Sequence, residues 1–241
     1  MKNGKARKGA VELLDAFYRE RIPFVVLSEQ SGKRRENMTA EMQKAGFRTF
    51  RNANLYTSSM AAVDFLSSRF KEKNRAAVIG GSGLQEAVHT AKYEITSSHP
   101  DFIFMGMNRN LTYEDYSAVY TMIVDGGILV SVDARKTMIV DGEKMIGNDA
   151  IVHMLTYASN TSAIAFGRGT PLYLDMVLKY LGCDSANTVF VGCSFMKDII
   201  PALQKGMTTI YVTEGRSIEK EGMNDKVHPD YIVEDLTGLL K

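Results

Sequence analysis

The stretch "TVFVGCSFMKDIIPALQKGMTTIYVTEG" (188–215) decides the fold. Thr188–Gly192 is a short, unbroken run of β-branched and aromatic residues closed by a glycine, the pattern of a buried strand. From Asp198 to Gly206 the apolar residues fall at helical spacing and a glycine follows at the C-terminal end. Thr208–Gly215 then repeats the strand pattern. A strand, a helix and a strand in immediate succession make a parallel pair joined by a right-handed crossover.

The same alternation extends along the chain. Helical patterns cover residues 9–21, 33–46, 58–70, 83–91, 112–126, 149–159 and 171–182. Strand patterns cover 23–28, 75–80, 100–107, 127–133 and 163–167, with "FRTF" (47–50) a further short strand. "PDYIVEDLTGLLK" (229–241) adds a strand and a turn of helix. The expected fold class is therefore α/β, with parallel sheets covered by helices on both faces. In such folds ligands bind at the C-terminal ends of the strands. The loops at that edge are "LSEQSG" (27–32), "FGRGTP" (166–171), "VGCSFMKD" (191–198) and "TEGRS" (213–217).

Composition narrows the function classes. The chain has 241 residues, 45% hydrophobic and 24% charged, as in an ordinary globular protein with a full core. A net charge of +1 gives no global attraction to nucleic acid or to an anionic membrane, so neither is an expected partner. No apolar run approaches the roughly 18 residues of a membrane helix. Two cysteines without metal-type spacing and 14 methionines suit a reduced, cytoplasmic protein. The four histidines are scattered, so a histidine metal site is not expected.

The ordered loops, with "IPFVVLSEQSGKRRENMTAEMQKAGF" (22–47), "HPDFIFMGMNRNLTYEDYSAVYTMIVDGGILVSVD" (99–133) and "HPDYIVEDLTGLL" (228–240), resemble the haloacid dehalogenase superfamily. The similarity is to its NagD and p-nitrophenyl-phosphatase branch and runs over essentially the whole chain. The resemblance implies a Rossmann-like core, residues 1–75 and 161–241, and an α/β cap of the C2 type, residues 76–160. It also implies a phosphatase chemistry. One aspartate attacks the phosphoryl group and a second protonates the leaving group. A Ser or Thr and a Lys hold phosphoryl oxygens, and a carboxylate helps bind Mg2+.

Several positions depart from that pattern. The first motif, Asp-x-Asp-Gly, belongs just before the segment that opens this chain, and no such tetrapeptide occurs in the sequence. On the resemblance, then, the first-motif strand, the nucleophile and the general acid are all missing. The second motif is Leu27-Ser28-Glu29-Gln30-Ser31. Ser28 suits a phosphoryl oxygen, whereas Glu29 sets a negative charge where a phosphate would approach. The third motif carries Arg168 in place of lysine, a planar fork in place of a compact ammonium. The fourth has Cys193 in place of the metal-binding carboxylate and keeps Asp198. A thiol is a poor ligand for Mg2+, which prefers oxygen.

Two functional readings follow. In the first, the chain has lost phosphatase chemistry and acts by binding or assembly, with no cofactor. A vestigial phosphate pocket of Ser28, Glu29, Gln30, Arg168, Cys193 and Asp198 then receives a small phosphorylated ligand. In the second, it is a Mg2+-dependent, NagD-like phosphatase of small phosphate esters, represented here without its N-terminal catalytic strand because the sequence starts after it. Whether the chain is an enzyme stays open between them. Cys193 does not head a tyrosine-phosphatase loop, because Ile199 stands where Cys-x5-Arg needs arginine. "VIGGSGLQEA" (78–87) has Glu86 where a dinucleotide loop needs a small residue, so a tight turn is expected. Asp133 corresponds to a cap loop facing the site, or simply forms a turn. Asn148 or Asp149 reads as a helix cap.

Two structural expectations complete the reading. The apolar stripe "YSAVYTMIV" (116–124) is expected to support a homodimer. Without a first-motif strand, residues 23–27 are expected to pair directly with 188–192, unless the N-terminal residues or another chain fill the gap.

Overall fold

The computed structural model describes residues 4–140, 142–216 and 227–240. The chain forms two compact units. One comprises Met1–Val26, Glu36–Leu55 and Leu174–Lys241, and the other Leu27–Arg35 and Tyr56–Tyr173.

The second unit contains a five-stranded parallel sheet. Its strands are β3 (Arg75–Ile79), β4 (Glu94–Ile95), β5 (Phe102–Met105), β6 (Ile128–Ser131) and β9 (Ile164–Ala165), in the order β4-β3-β5-β6-β9. The period-2 geometry of β5 sorts its side chains between the two faces. Ile103 and Met105 join Ala77 and Leu129 beneath α5 (Tyr113–Val124) and α6 (Asn148–Ser159), where Val119, Ile123, Ile151, Val152 and Leu155 close the core. Phe102 and Phe104 point the other way and meet the Tyr93 ring edge-on, at centroid distances of 6.1 and 5.5 Å. That face lies beside α3 (Ser58–Arg69) and α4 (Ser82–Thr90), which pack together. On α5, Val119 and Ile123 are buried, whereas Tyr120 and Val124 are exposed. An antiparallel hairpin, β7 (Thr137–Val140) with β8 (Glu143–Ile146), was not expected from the sequence.

The first unit carries the parallel sheet β10 (Val189–Gly192), β11 (Thr208–Val212) and β12 (Tyr231–Val233), in that order. The β11–β12 crossover is locked by Asp230, whose carboxylate accepts from both the amide and the hydroxyl of the buried Thr209, at 2.8 Å each. Helices α1 (Ala10–Arg19) and α2 (Arg35–Lys44) bring Leu14, Met38 and Met42 onto Phe47, Phe50 and Leu55. "FRTF" is a turn and not a strand. Phe47 and Phe50 are both buried, and their three-residue separation suits a turn. The strand of this region is β2 (Leu55–Thr57), paired with a short β1 (Val26–Ser28).

The expected direct pairing of 23–27 with 188–192 is not formed. β1 pairs with β2, and β10 is the edge strand of its own sheet. That expectation assumed a buried strand. Instead Val189 is 54% and Val191 37% exposed, so water can satisfy the backbone groups at this edge. The N-terminal residues Lys5–Lys8 lie against Val212, Glu214, Asp235 and Leu236 and not on β10. Arg7 pairs with Glu214 and Lys8 with Asp235.

Candidate active site

Within the second unit, the loop after β1 is built on Tyr173. This buried side chain belongs to α7 (Pro171–Leu181). Its phenol accepts the Ser28 amide at 3.2 Å and donates to the Tyr56 carbonyl at 2.8 Å. Burial pushes the Tyr173 pKa up, opposed by the Ser28 backbone bond and reinforced by the charge of Glu29. The Ser28 hydroxyl accepts the Gln30 amide at 3.1 Å, which turns the chain and leaves Gln30 exposed.

Glu29 does not point at bulk solvent. Its Oε2 accepts the Arg168 amide at 3.1 Å and the Ala134 amide at 3.4 Å. Both donors are held by their own loops. The Thr170 hydroxyl accepts the Gly167 amide at 3.1 Å. Gly167 packs so tightly on Ala134 that a Cβ would lie 2.8 Å from the Ala134 nitrogen. Asp133 is fully buried and forms a two-pronged ion pair with Arg135, with Nε to Oδ1 at 2.8 Å. It also accepts the Arg135 amide at 3.0 Å, the local bond of a turn-forming aspartate. The Asp133 hydrogen bond raises the Arg135 pKa; burial opposes this, and the charges of Asp133 and Glu29 add to it.

Asn148 is the first residue of α6, and Gly147 is the N-cap. The Asn148 amide is buried and donates to Ser131 Oγ and the Asp133 carbonyl, both at 3.1 Å. The glycines of "VIGGSGLQEA" serve packing. A Cβ on Gly81 would lie 2.9 Å from the Gly32 carbonyl oxygen, and one on Gly83 would collide with the Lys33 carbonyl. The Leu84 amide donates to the Ser31 carbonyl at 3.0 Å, so the loop 31–33 covers the N-terminus of α4. Glu86 accepts the Arg35 amide at 3.2 Å.

In the first unit, the loop after β10 carries Cys193 and Ser194 into a π-helical turn, Phe195–Ile199, which continues as α8 (Ile200–Gln204). The helix therefore begins three residues before the expected Asp198, with Ser194 as its cap. Asp198 is buried, and its Oδ2 accepts the Cys193 and Ser194 amides at 2.9 Å each. Arg216 donates to the Cys193 carbonyl and, through Nε, to the Thr213 carbonyl at 3.0 Å.

Sequence reasoning missed three of these residues. Tyr173 read as one more apolar position of a helix. Arg135 follows Asp133 at the two-residue spacing of a local pair, a signal that was available. Nothing in the sequence joins Arg216 to Cys193.

The described residues do not fit a Mg2+ site. No group of three or more His, Cys, Asp or Glu side chains is placed to share a cation among them. Asp198 Oδ2 is already engaged by two amides, and the neighbouring Cys193 offers sulfur to a cation that prefers oxygen.

Comparison with known families agrees with the fold. A haloacid dehalogenase-like hydrolase model matches residues 1–94, and a HAD-hydrolase-like model matches 165–239. This chain belongs to the haloacid dehalogenase superfamily. It is 24% identical over 239 residues to a dihydroxyacetone phosphatase of Corynebacterium glutamicum, covering 99% of this chain and 86% of the relative. It is 25% identical over 229 residues to an acid sugar phosphatase of Staphylococcus aureus, covering 95% and 88%. Its haloacid dehalogenase fold superposes on NagD from E. coli K-12 with a TM-score of 0.88, at 23% identity over 98% of this chain and 92% of the other. A p-nitrophenyl phosphatase from Archaeoglobus fulgidus also gives 0.88, at 18% identity over 99% and 93%.

Proposed function

We propose that this protein is a phosphatase of small phosphate esters. The observation that carries the reading is the likeness to proteins named as phosphatases along almost the whole chain, over both halves of the superfamily fold. It supports phosphatase chemistry ahead of the loss of that chemistry, which the sequence motifs alone favoured. Dihydroxyacetone phosphate and sugar phosphates are the first substrates to test, by analogy with those relatives.

A second reading, binding without turnover, is favoured by a specific observation. The Glu29 carboxylate takes the Ala134 and Arg168 amides, and Cys193 stands where the resembled motif has a carboxylate. Phosphate release by the homogeneous protein, with MgCl2 or with EDTA, separates the two. Release that scales with protein concentration supports the phosphatase. No release, together with a higher melting temperature in the presence of the ester, supports binding alone. Neither release nor a thermal shift overturns both.

We further propose a homodimer and a cytoplasmic location. Exposed Tyr120 and Val124 on α5 support the first, and a sequence with only two cysteines, without metal-type spacing, accords with the second. No helix among the described residues is long and apolar enough to cross a membrane. A monomer mass in light scattering at micromolar concentration would rule out the dimer.

A further inference from the structure

Two backbone amides from different loops converge on one oxygen of Glu29. Neither donor depends on Glu29 for its position. The Arg168 amide follows Gly167, which is tied to the Thr170 hydroxyl and seated against Ala134. The Ala134 amide lies between Asp133, fixed by Arg135, and Arg135 itself, whose carbonyl accepts the Asp149 amide at 3.0 Å. Converging amides form a place for negative charge, and the Arg135 guanidinium, paired with Asp133, adds a further attraction to Glu29.

We propose that the Ala134 and Arg168 amides form an anion-binding position and that Glu29 is its internal occupant. A phosphate dianion must displace the Glu29 carboxylate to bind there. This rests on reading these loops as a phosphate-ester site, and it adds an autoinhibitory contact to that reading. Glu29 then sets the threshold for ligand entry, because a second anion beside the bound carboxylate is repelled. Gly167, Thr170 and Asp133 are held by contacts other than those to Glu29, so removing Glu29 is expected to vacate the position and not to destroy it.

The test is titration calorimetry of the full chain with inorganic phosphate, comparing wild type, Glu29→Ala and Glu29→Gln. Circular dichroism checks the fold of each. Removing the carboxylate should tighten phosphate binding by about tenfold or more, given the repulsion between unit charges a few ångströms apart. Glu29→Gln keeps an acceptor for the amides but loses the charge, so its gain should be smaller than that of Glu29→Ala. Equal phosphate affinity in all three proteins overturns the proposal. So does a lack of binding by folded variants. If both variants fail to fold, Glu29 is a structural tie and the proposal fails as well. Since binding and not turnover is read, a protein without phosphatase activity can still pass, and an active one can still fail.

Discussion

Gly192 and Asp198 are in such close contact that a Cβ at position 192 would lie 2.9 Å from the Asp198 carboxyl carbon, and closer still to its Cβ. The glycine ends β10 and admits the carboxylate beneath the turn. Gly192→Ala should therefore force Asp198 away from the Cys193 and Ser194 amides. A cost of about 1–3 kcal/mol is expected, as for other overpacked buried sites. Urea unfolding monitored by circular dichroism gives the value, and an unchanged midpoint would contradict the close contact.

The carboxylate itself is the second test. Asp198→Ala leaves the Cys193 and Ser194 amides without their acceptor, at about 1–3 kcal/mol for each donor that finds no replacement. Asp198→Asn keeps an oxygen and should cost less. Equal unfolding midpoints for Asp198→Ala and wild type would show that the two bonds contribute nothing.

Tyr173→Phe removes the hydroxyl that joins the Ser28 amide to the Tyr56 carbonyl. A loss of about 1–3 kcal/mol is expected from the unpaired groups. The variant should also change the alkaline limb of stability. Because the folded pKa lies above the ordinary 10.0, the neutral phenol contributes stability that is complete below pH 10.0 and is lost as the pH rises further. Relative to wild type, Tyr173→Phe should be flatter in that range, as measured by unfolding at several pH values above 10.

At the acid end, Asp235 is the informative group. Its pKa is lowered to about 2, first by the Lys8 side chain, then by the hydroxyl and amide of Thr237. Its stabilisation is thus present above the ordinary 3.8 and is lost as the pH falls from there through about 2. Lys8→Met should move the Asp235 midpoint toward 3.8, and the Thr237 bonds should hold it below that value. Carboxyl NMR titration reads both. An unmoved midpoint would show that Lys8 is not the leading cause.

The sequence was informative wherever one period dominated. "FIFM" in β5 alternates between two buried faces, and the apolar spacing of α5 and α6 matches the core they cover. "FRTF" misled because two buried phenylalanines were read as a strand although they are three residues apart. The β7–β8 hairpin leaves little trace in the sequence because β8 is exposed throughout, so no buried face imposes alternation on "EKMI". For the site, the types of Glu29, Asp133 and Asp198 were conspicuous, but their partners were not. Glu29 is bound by backbone amides 105 and 139 residues away, which carry no side-chain signature. Asn148 and Asp149 both suit a cap by residue type, but the cap is Gly147 and the Asn148 amide is buried against Ser131 and Asp133.

The two units also differ in how they can be made on the ribosome. Every residue of the second unit has been synthesised once Tyr173 is added, so its five-stranded sheet can form while later residues are still being translated. The first unit draws together segments from before Val26, around Met42 and beyond Leu174. Its α1–α2 cluster of Met38, Met42, Phe47 and Phe50 can collapse early and β10 can pair with β11 once Val212 emerges, but β12 joins that sheet only after the residues around Asp230 emerge. A ribosome stalled between Tyr173 and Asp230 would carry one finished sheet and one that cannot close.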